Sequence, residues 1–120
     1  MERKILIIIL FILFTSAFFL AACDKVILVD DVPFCIENKI KDIQNEVVRN
    51  PPAQVWKWEV DGQIYFYFTS DCCDQFNYLF DKDCNIVCAP DGGIAGIGDG
   101  NCPDFNGAIE KTLVWKDFRN

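Results

Sequence analysis

Seven cysteines in 120 residues are the feature that most constrains this chain. Six of them lie in a C-terminal stretch too short to bury a large apolar core: Cys35, Cys72, Cys73, Cys84, Cys88 and Cys102. In an oxidising compartment an even set of this kind is typical of a disulfide framework, whereas cytosolic cysteines stay reduced. Whether these cysteines form disulfides therefore depends on the compartment in which the chain folds, and the N-terminal segment indicates that compartment.

Residues 1–22 have the composition of an export signal, with charged residues followed by an apolar run too short for a typical spanning helix. The segment ends Leu20-Ala21-Ala22-Cys23, which resembles the lipobox of bacterial lipoproteins at all four positions. The alternative is an ordinary signal peptide or a short membrane anchor. We expect cleavage before Cys23, acylation of that cysteine with diacylglycerol and palmitate, and a lipidated tether over residues 23–32. The protein is then a lipoprotein of the bacterial cell envelope, at the outer membrane, on a face that the sequence leaves open.

Charge and composition exclude several classes of function. The chain carries 18 acidic against 11 basic side chains, so it lacks the basic footprint that nucleic acid requires. It contains no histidine, which excludes Ser–His and Cys–His nucleophile pairs and histidine metal ligands. We predict no catalytic residue, no cofactor and no nucleic-acid partner, and the protein is not expected to be an enzyme.

One motif suggests a metal and then departs from its pattern. Asp81-x-Asp83-x-Asn85 matches the first three ligand positions of an EF-hand loop. Ile86 stands at the glycine position and Gly92 at the bidentate glutamate position. No metal site is therefore predicted, and calcium binding by this turn stays open.

Apolar periodicity predicts one helix followed by antiparallel strands. Four residues recur at helical spacing: Ile36, Ile40, Ile43 and Val47. Pro33 suits the first helical position, and Asn50-Pro51-Pro52 ends the helix. Asp61-Gly62, between residues 55–60 and 63–69, is a strong signal for a two-residue hairpin turn.

The rest of the chain adds a second hairpin and an edge strand. Residues 76–80 and 85–88 form the hairpin, and residues 112–118 alternate with Leu113 and Trp115 on one side. The predicted class is α+β, with one N-terminal helix packed on a four- to five-stranded antiparallel sheet in a single domain over residues 33–120. The order of helix and hairpins is also similar to that of cystatin-like folds.

This order of elements predicts which cysteines meet. Cys35 at the helix N-terminus and Cys84 in the second hairpin turn fall at one end of the sheet, so we predict that they bond. The other four are predicted to pair across groups, in either order: Cys72 and Cys73 with Cys88 and Cys102. A redox-active vicinal pair, Cys72-Cys73, is the alternative.

The first hairpin places four aromatic residues on one face, and they are the best candidates for a contact surface: Trp56, Trp58, Tyr65 and Tyr67. In one interpretation this face is a platform for a sugar or a peptide. In the other, Trp115 and the glycine-rich loop of residues 91–104 fold over it as a second small core. Gly96 and Gly98 in that loop complete the candidate surface.

Three runs in the C-terminal half carry a resemblance to a known family. They are Cys72-Cys73-Asp74-Gln75-Phe76, Cys88-Ala89-Pro90-Asp91-Gly92-Gly93 and Gly98-Asp99-Gly100-x-Cys102-Pro103-Asp104-Phe105. The pattern resembles an uncharacterised family of small Bacteroidota lipoproteins, a domain of unknown function, over about residues 34–115. The resemblance implies an envelope lipoprotein and carries over no activity or site residue. Ile97 departs from the pattern, because relatives often have a basic residue there.

The sequence thus predicts a lipid-anchored envelope protein with a non-enzymatic binding or structural role. Its expected partners are the membrane, through the anchor, and a protein or glycan ligand that the sequence does not identify. One alternative is an inhibitor of a protease or other hydrolase that acts through the loop at Gly96 and Gly98. The other is a thiol redox protein that uses Cys72 and Cys73.

Overall fold

The computed structural model describes residues 30–119, and within this range one helix precedes five strands. The elements are helix α1 (Phe34–Asn45) and strands β1 (Gln54–Val60), β2 (Gln63–Phe68), β3 (Phe76–Phe80), β4 (Ile86–Gly92) and β5 (Glu110–Lys116). The sheet order is β4-β3-β2-β1-β5, and every neighbouring pair is antiparallel. Four strands form a meander, and β5 returns to the free edge of β1. The predicted α+β architecture is confirmed.

Helix α1 is shorter than the sequence predicts. Pro33 is its N-cap rather than its first helical residue, and the Pro33 carbonyl accepts a hydrogen bond from the Ile36 amide. Three isoleucines of the helix are buried, as predicted: Ile36, Ile40 and Ile43. Val47 is 89% exposed, so its assignment to the buried stripe is wrong. The reason is that the backbone becomes extended at Glu46, before the stripe reaches Val47.

The C-terminal end of α1 is capped by a distant arginine. The Arg119 guanidinium donates hydrogen bonds to the carbonyls of Ile43 and Gln44 in the last turn and to that of the C-cap residue Glu46, where a helix end leaves carbonyls short of partners. The Asp117 carboxylate orients this guanidinium, with Nη2 donating to Oδ2 at 2.7 Å and Nε to Oδ1 at 2.9 Å. Asp117 is only 2% exposed, and these bonds from Arg119 hold its pKa below the ordinary value.

The Asp61-Gly62 hairpin turn is confirmed. Both residues have positive φ, +52° and +73°, which is the requirement of the mirror-image turns that match strand twist. The register that follows also agrees with the sequence, in two aromatic cross-strand pairs: Trp58 with Tyr65, and Trp56 with Tyr67.

Strand β4 is longer than predicted. It runs through Asp91 to Gly92, into the stretch that the sequence assigns to an irregular loop. Asn77 on β3 pairs with Asp91, and Phe76 pairs with Gly92. The glycine-rich composition therefore does not prevent the first residues of that stretch from joining the sheet.

Strand β5 is the predicted edge strand, but the predicted alternation of its side chains between the two faces is wrong. A register shift lets β1 residues Val55 and Trp56 pair with Trp115 and Leu113, so Val114 is the extra residue of a β-bulge. Val114 and Trp115 are consequently both buried in the core cluster that contains α1, while Leu113 is 39% exposed. Trp115 does not cover the aromatic face, contrary to expectation.

The sheet separates two apolar clusters. The larger cluster contains the helix isoleucines together with the following strand and linker residues: Ala53, Val55, Phe66, Phe68, Phe80, Val114 and Trp115. The smaller cluster is built on Trp58, Leu79 and Cys88, with partly buried side chains packed against them, among which are Trp56, Tyr65, Tyr67 and Phe105. Both faces of the sheet are thus apolar, as the hairpin pattern indicates.

Two disulfides lie within the described residues. Cys35 and Cys84 are bonded, which confirms the prediction drawn from the order of elements. Cys88 is bonded to Cys102, so the prediction that these two pair with Cys72 and Cys73 is wrong. Cys88 lies inside β4, in the smaller apolar cluster with Cys102, rather than at the sheet end near the other two cysteines.

The proposed signal segment, Cys23 and most of the tether lie outside the described residues. Within residues 30–119, no helix has the length and apolar character needed to cross a bilayer.

The Asp117 carboxylate gives the first prediction. Replacing Asp117 with Asn removes the charged acceptor of the helix cap, so we expect the free energy of unfolding at neutral pH to fall by about 1–3 kcal/mol. Because the native pKa of Asp117 is lowered, its contribution is present above the ordinary aspartate pKa and is lost as pH falls through the native value. Urea unfolding at several pH values measures both effects.

The difference in the free energy of unfolding between the wild type and Asp117→Asn should therefore become smaller as the pH falls. Asp104→Asn, at an exposed carboxylate, is the control and should leave stability unchanged. An Asp117→Asn variant as stable as the wild type at neutral pH would contradict the capping role.

Candidate functional site

The aromatic face contains an open depression, here called the aromatic cleft. It has a volume of about 250 Å³ and is lined by Trp56, Trp58, Tyr67, Asp91 and Lys111. Four strands supply these residues. The two tryptophans are on β1, the tyrosine is on β2, the aspartate is on β4 and the lysine is on β5. A sheet fixes side chains on neighbouring strands at set distances, so the geometry of the cleft follows from strand register.

The aromatic rings of the cleft differ in exposure. Trp58 is 5% exposed and stacks on Tyr67, with ring centroids 5.1 Å apart and an interplanar angle of 13°. Trp56 is half-buried, and its indole Nε1 donates a hydrogen bond to Gln54 Oε1 at 2.9 Å. The Trp58 Nε1 is buried and has no hydrogen-bond partner among the described residues, which is uncommon for a buried donor.

Asp91 is the acidic group of the cleft. Its Oδ1 accepts hydrogen bonds from the Tyr67 hydroxyl at 2.8 Å and from Asn77 Nδ2 at 2.7 Å. The Asn77 Oδ1 in turn accepts from the Ser70 amide at 2.7 Å, which fixes the orientation of the Asn77 side chain. Burial, the hydrogen bond to Asp91 and its charge all raise the pKa of Tyr67 well above the ordinary tyrosine range. Asp91 Oδ2 accepts no hydrogen bond from the described residues.

Lys111 is the basic group of the cleft. It lies opposite Trp58 in the β1–β5 pairing, and its ammonium nitrogen is 4.2 Å from the centre of a Trp58 ring. A cation over an indole face is attracted by the ring quadrupole. The cleft thus offers an aromatic surface between one carboxylate and one ammonium group.

Part of the aromatic face is covered, as the second interpretation predicts, but by different residues. Phe105 packs edge-to-face on Tyr65, with ring centroids 5.8 Å apart. The Asn106 amide donates to Asp61 Oδ2 at 3.1 Å, and the Cys88–Cys102 disulfide holds the start of this covering segment on β4. The cover therefore closes the Tyr65 end of the face, near the hairpin turn, and the cleft is the part that it leaves open.

The glycine-rich loop folds back on β4. The Asp99 amide donates to the Ala89 carbonyl, and Gly98 lies so close to the Ala89 backbone that a side chain there would collide with it. Gly98 therefore serves the close approach of two backbones, whereas Gly96 has open space around it. The loop exposes two apolar side chains, with Ile94 93% and Ile97 79% accessible.

The Asp81 and Glu59 carboxylates both have partners close by in the sequence. The Asp81 carboxylate accepts hydrogen bonds from the amides of Asp83 and Asn85, so the EF-hand-like spacing belongs to a turn. Glu59, the carboxylate among hydrophobic strand residues, pairs with Lys57 at 3.1 Å. Within residues 30–119 no group of three or more cysteine and carboxylate side chains is arranged to hold a metal ion.

Cys72 and Cys73 lie in the turn before β3, and both are exposed. Their Sγ atoms are 2.6 Å apart and form a thiol–thiol contact. Neither residue lines the aromatic cleft, and neither belongs to the two disulfides of the described region.

Sequence reasoning found the three aromatic residues of the cleft and missed its two charged residues. Asp91 stands in a run whose glycines favour a loop, and Lys111 precedes the region in which alternation is visible. Pairing of Lys111 with Trp58 depends on the β-bulge at Val114, for which the sequence has no signal. Asp91 lies three residues beyond the predicted end of β4, so only a longer strand would have placed it on the sheet.

A family described as a domain of unknown function, DUF6970, matches residues 41–117. The chain belongs to this family. None of the curated proteins and none of the solved structures matches it.

The region matched by DUF6970 contains all five residues of the aromatic cleft and the Cys88–Cys102 disulfide. Cys35 lies before it, so the first part of α1 and one end of the Cys35–Cys84 disulfide are outside the matched region. The family match supplies neither a substrate nor a partner.

The environment of Tyr67 gives a prediction about its ionisation. The wild type and Tyr67→Phe differ by one phenol, so the difference between their absorbances reports the ionisation of Tyr67. We expect this difference to appear only at pH values well above the ordinary tyrosine pKa, because Asp91 and burial disfavour the phenolate. Spectrophotometric titration of both proteins isolates this one phenol. A difference signal that rises at the ordinary tyrosine pKa would show that the hydroxyl is not bonded to Asp91.

Proposed function

We propose that this protein is a lipid-anchored bacterial envelope protein that binds carbohydrate, without catalysis, in the aromatic cleft. The observation that carries the proposal is the half-buried Trp56 ring beside Asp91 and Lys111 in a cavity that the cover leaves open. Tryptophan rings offer a flat apolar surface to the C–H face of a sugar ring. Charged and polar groups at the edge of such a surface then fix the orientation of the ligand.

The hydrogen-bonding capacity of the cleft suits hydroxyl groups. Asp91 Oδ2 is available as an acceptor, while Oδ1 is held in place by Tyr67 and Asn77. The Lys111 ammonium is a donor. A sugar with adjacent hydroxyls can use the acceptor and the donor together, since a hydroxyl both donates and accepts.

A binding role is better supported than hydrolysis. Glycoside hydrolysis needs two carboxyl groups flanking the scissile bond. Among the described residues that line the cleft, Asp91 is the only one with a carboxyl group. Glu59 is paired with Lys57, and neither residue lines the cleft.

The anchor part of the proposal rests on Leu20-Ala21-Ala22-Cys23 and on the disulfides. Two disulfide bonds agree with folding in an oxidising compartment outside the cytosol. Acylation of Cys23 would keep the domain at a membrane surface, with the residues up to Val32 as the tether. The Bacteroidota origin is part of this proposal through the resemblance of the cysteine and glycine runs.

Inhibition of a hydrolase is the second candidate, and the exposed loop favours it. Ile94 and Ile97 protrude from a loop whose base is closed by the Cys88–Cys102 disulfide, as an inhibitory loop would require. The residues between them, Ala95 and Gly96, carry no charge or hydrogen-bonding side chain, so the loop offers less basis for selectivity than the cleft does.

The binding proposal is tested with Trp56→Ala. We expect loss of the stacking surface to weaken binding of the best sugar in a panel of neutral and acidic oligosaccharides by about tenfold, which corresponds to about 1.4 kcal/mol. Trp56 is half-buried, so the variant is expected to fold. Calorimetry or affinity electrophoresis measures the change.

Phe118→Ala is the matched control, because Phe118 is an exposed aromatic residue that does not line the cleft. It should bind as the wild type does. If peptides bind and sugars do not, the carbohydrate assignment is wrong. If binding exists but Trp56→Ala leaves it unchanged while Ile97→Asp abolishes it, the loop is the binding site.

The anchor is tested by Cys23→Ser in the full chain. The wild type should fractionate with membranes and yield an acylated N-terminal peptide that begins at Cys23. The variant has no thiol to acylate, so it should lose the lipid and the processing that depends on it. A wild-type protein released from membranes by salt, with an unmodified Cys23, would contradict lipid anchoring.

A further inference from the structure

The contact between Cys72 and Cys73 has no role in the proposed binding site. Their Sγ atoms lie 2.6 Å apart, closer than two unbonded sulfur atoms normally approach. The other four cysteines of the described region are paired in disulfides. Among the described cysteines, Cys72 and Cys73 therefore have only each other as partners.

The turn that carries the pair is held at both ends. The Ser70 amide donates to Asn77 Oδ1 at 2.7 Å, and the Gln75 amide donates to the Cys72 carbonyl at 3.0 Å. The Gln75 carbonyl accepts from the Gly93 amide at 2.9 Å, so the turn is also tied to the loop after β4. These bonds anchor the backbone on either side of the two sulfur atoms.

We propose that Cys72 and Cys73 form a vicinal disulfide in the mature protein and that this bond is the exchangeable one of the molecule. The bond closes an eight-membered ring through the peptide unit that joins the two residues. This inference is independent of the carbohydrate proposal, since it requires neither the cleft nor the anchor.

The reaction is a thiol–disulfide exchange. The two thiols lose two protons and two electrons as the Sγ–Sγ bond forms, and a disulfide oxidant of the envelope accepts them and becomes two thiols. The reverse reaction needs a dithiol reductant. Cys72 and Cys73 are both exposed, so a reagent can reach them, whereas the four disulfide-bonded cysteines are buried or half-buried.

The electrostatics of the pair argue against a thiol enzyme. Catalytic cysteines have a lowered pKa, because the thiolate is the nucleophile. The hydrogen bond with Cys73 instead raises the pKa of Cys72. This direction does not favour an attacking Cys72 thiolate.

A non-reducing tryptic map of the full chain tests the proposal, because the cleavage sites separate the cysteines. Residues 58–82 form a fragment with Cys72 and Cys73 as its only cysteines, while residues 83–111 contain Cys84, Cys88 and Cys102. The protein is produced through the envelope, and N-ethylmaleimide is added before lysis to block free thiols. We expect fragment 58–82 to carry no label and to be two hydrogen masses lighter than its reduced form.

Three results would overturn the vicinal bond. Two maleimide labels on fragment 58–82 would mean that both thiols are free. A cross-link from 58–82 to 83–111 would mean that these cysteines pair elsewhere. A cross-link between two copies of 58–82 would mean that the bond joins two molecules.

Graded reduction tests whether the bond is the exchangeable one. With limiting phosphine followed by maleimide, fragment 58–82 should gain two labels before fragment 83–111 gains any. Equal or later labelling of 58–82 would refute preferential exchange. The Cys72→Ser/Cys73→Ser variant is the control, in which 58–82 stays unlabelled throughout while 83–111 is labelled as in the wild type.

Discussion

The β1–β2 hairpin is apolar on both faces, and the rest of the fold depends on this property. Val55, Phe66 and Phe68 lie on one face, and the aromatic cleft residues Trp56 and Trp58 lie on the other. Antiparallel sheets commonly leave one face to water, but exposure of either face here would leave a large apolar patch. Helix α1 covers the first face, and the segment from Cys102 to Ile109 covers part of the second. The domain therefore has three layers although it is small.

Each outer layer is attached to the sheet by one disulfide. Cys35–Cys84 joins the start of α1 to the turn between β3 and β4, across a sequence separation of 49 residues. Cys88–Cys102 joins the covering segment to β4, across a separation of 14 residues. Chain-entropy arithmetic gives about 4 kcal/mol for the first bond and about 3 kcal/mol for the second. A 12-residue helix and an irregular segment are both marginal alone, so these covalent links stabilise the layers that need them most.

Local signals predicted most of the fold, and several of the features that they missed depend on non-local contacts. The Asp61-Gly62 turn fixes the hairpin register, and from there the order of elements brings Cys35 to Cys84. The pairing of Cys88 was mispredicted because β4 extends further than its composition suggests. The Arg119 cap joins residues more than 70 positions apart, so no periodicity or turn signal reports it. The same contrast applies to the cleft. Its aromatic residues come from the hairpin, which local signals predict, while Asp91 and Lys111 come from other strands.

The incomplete cover is the physical reason to assign a role to the aromatic cleft. Phe105 closes the Tyr65 end, and burying the Trp56 end as well would add stability at about 25 cal/mol per Å² of apolar surface. The fold leaves that surface open and holds charged groups beside it, including Asp91, whose Oδ1 is fixed by two hydrogen bonds. Buried area alone does not require an oriented carboxylate at the edge of an aromatic surface. Such a carboxylate, beside a lysine ammonium and an accessible indole, is an arrangement that a hydroxyl-rich ligand can use.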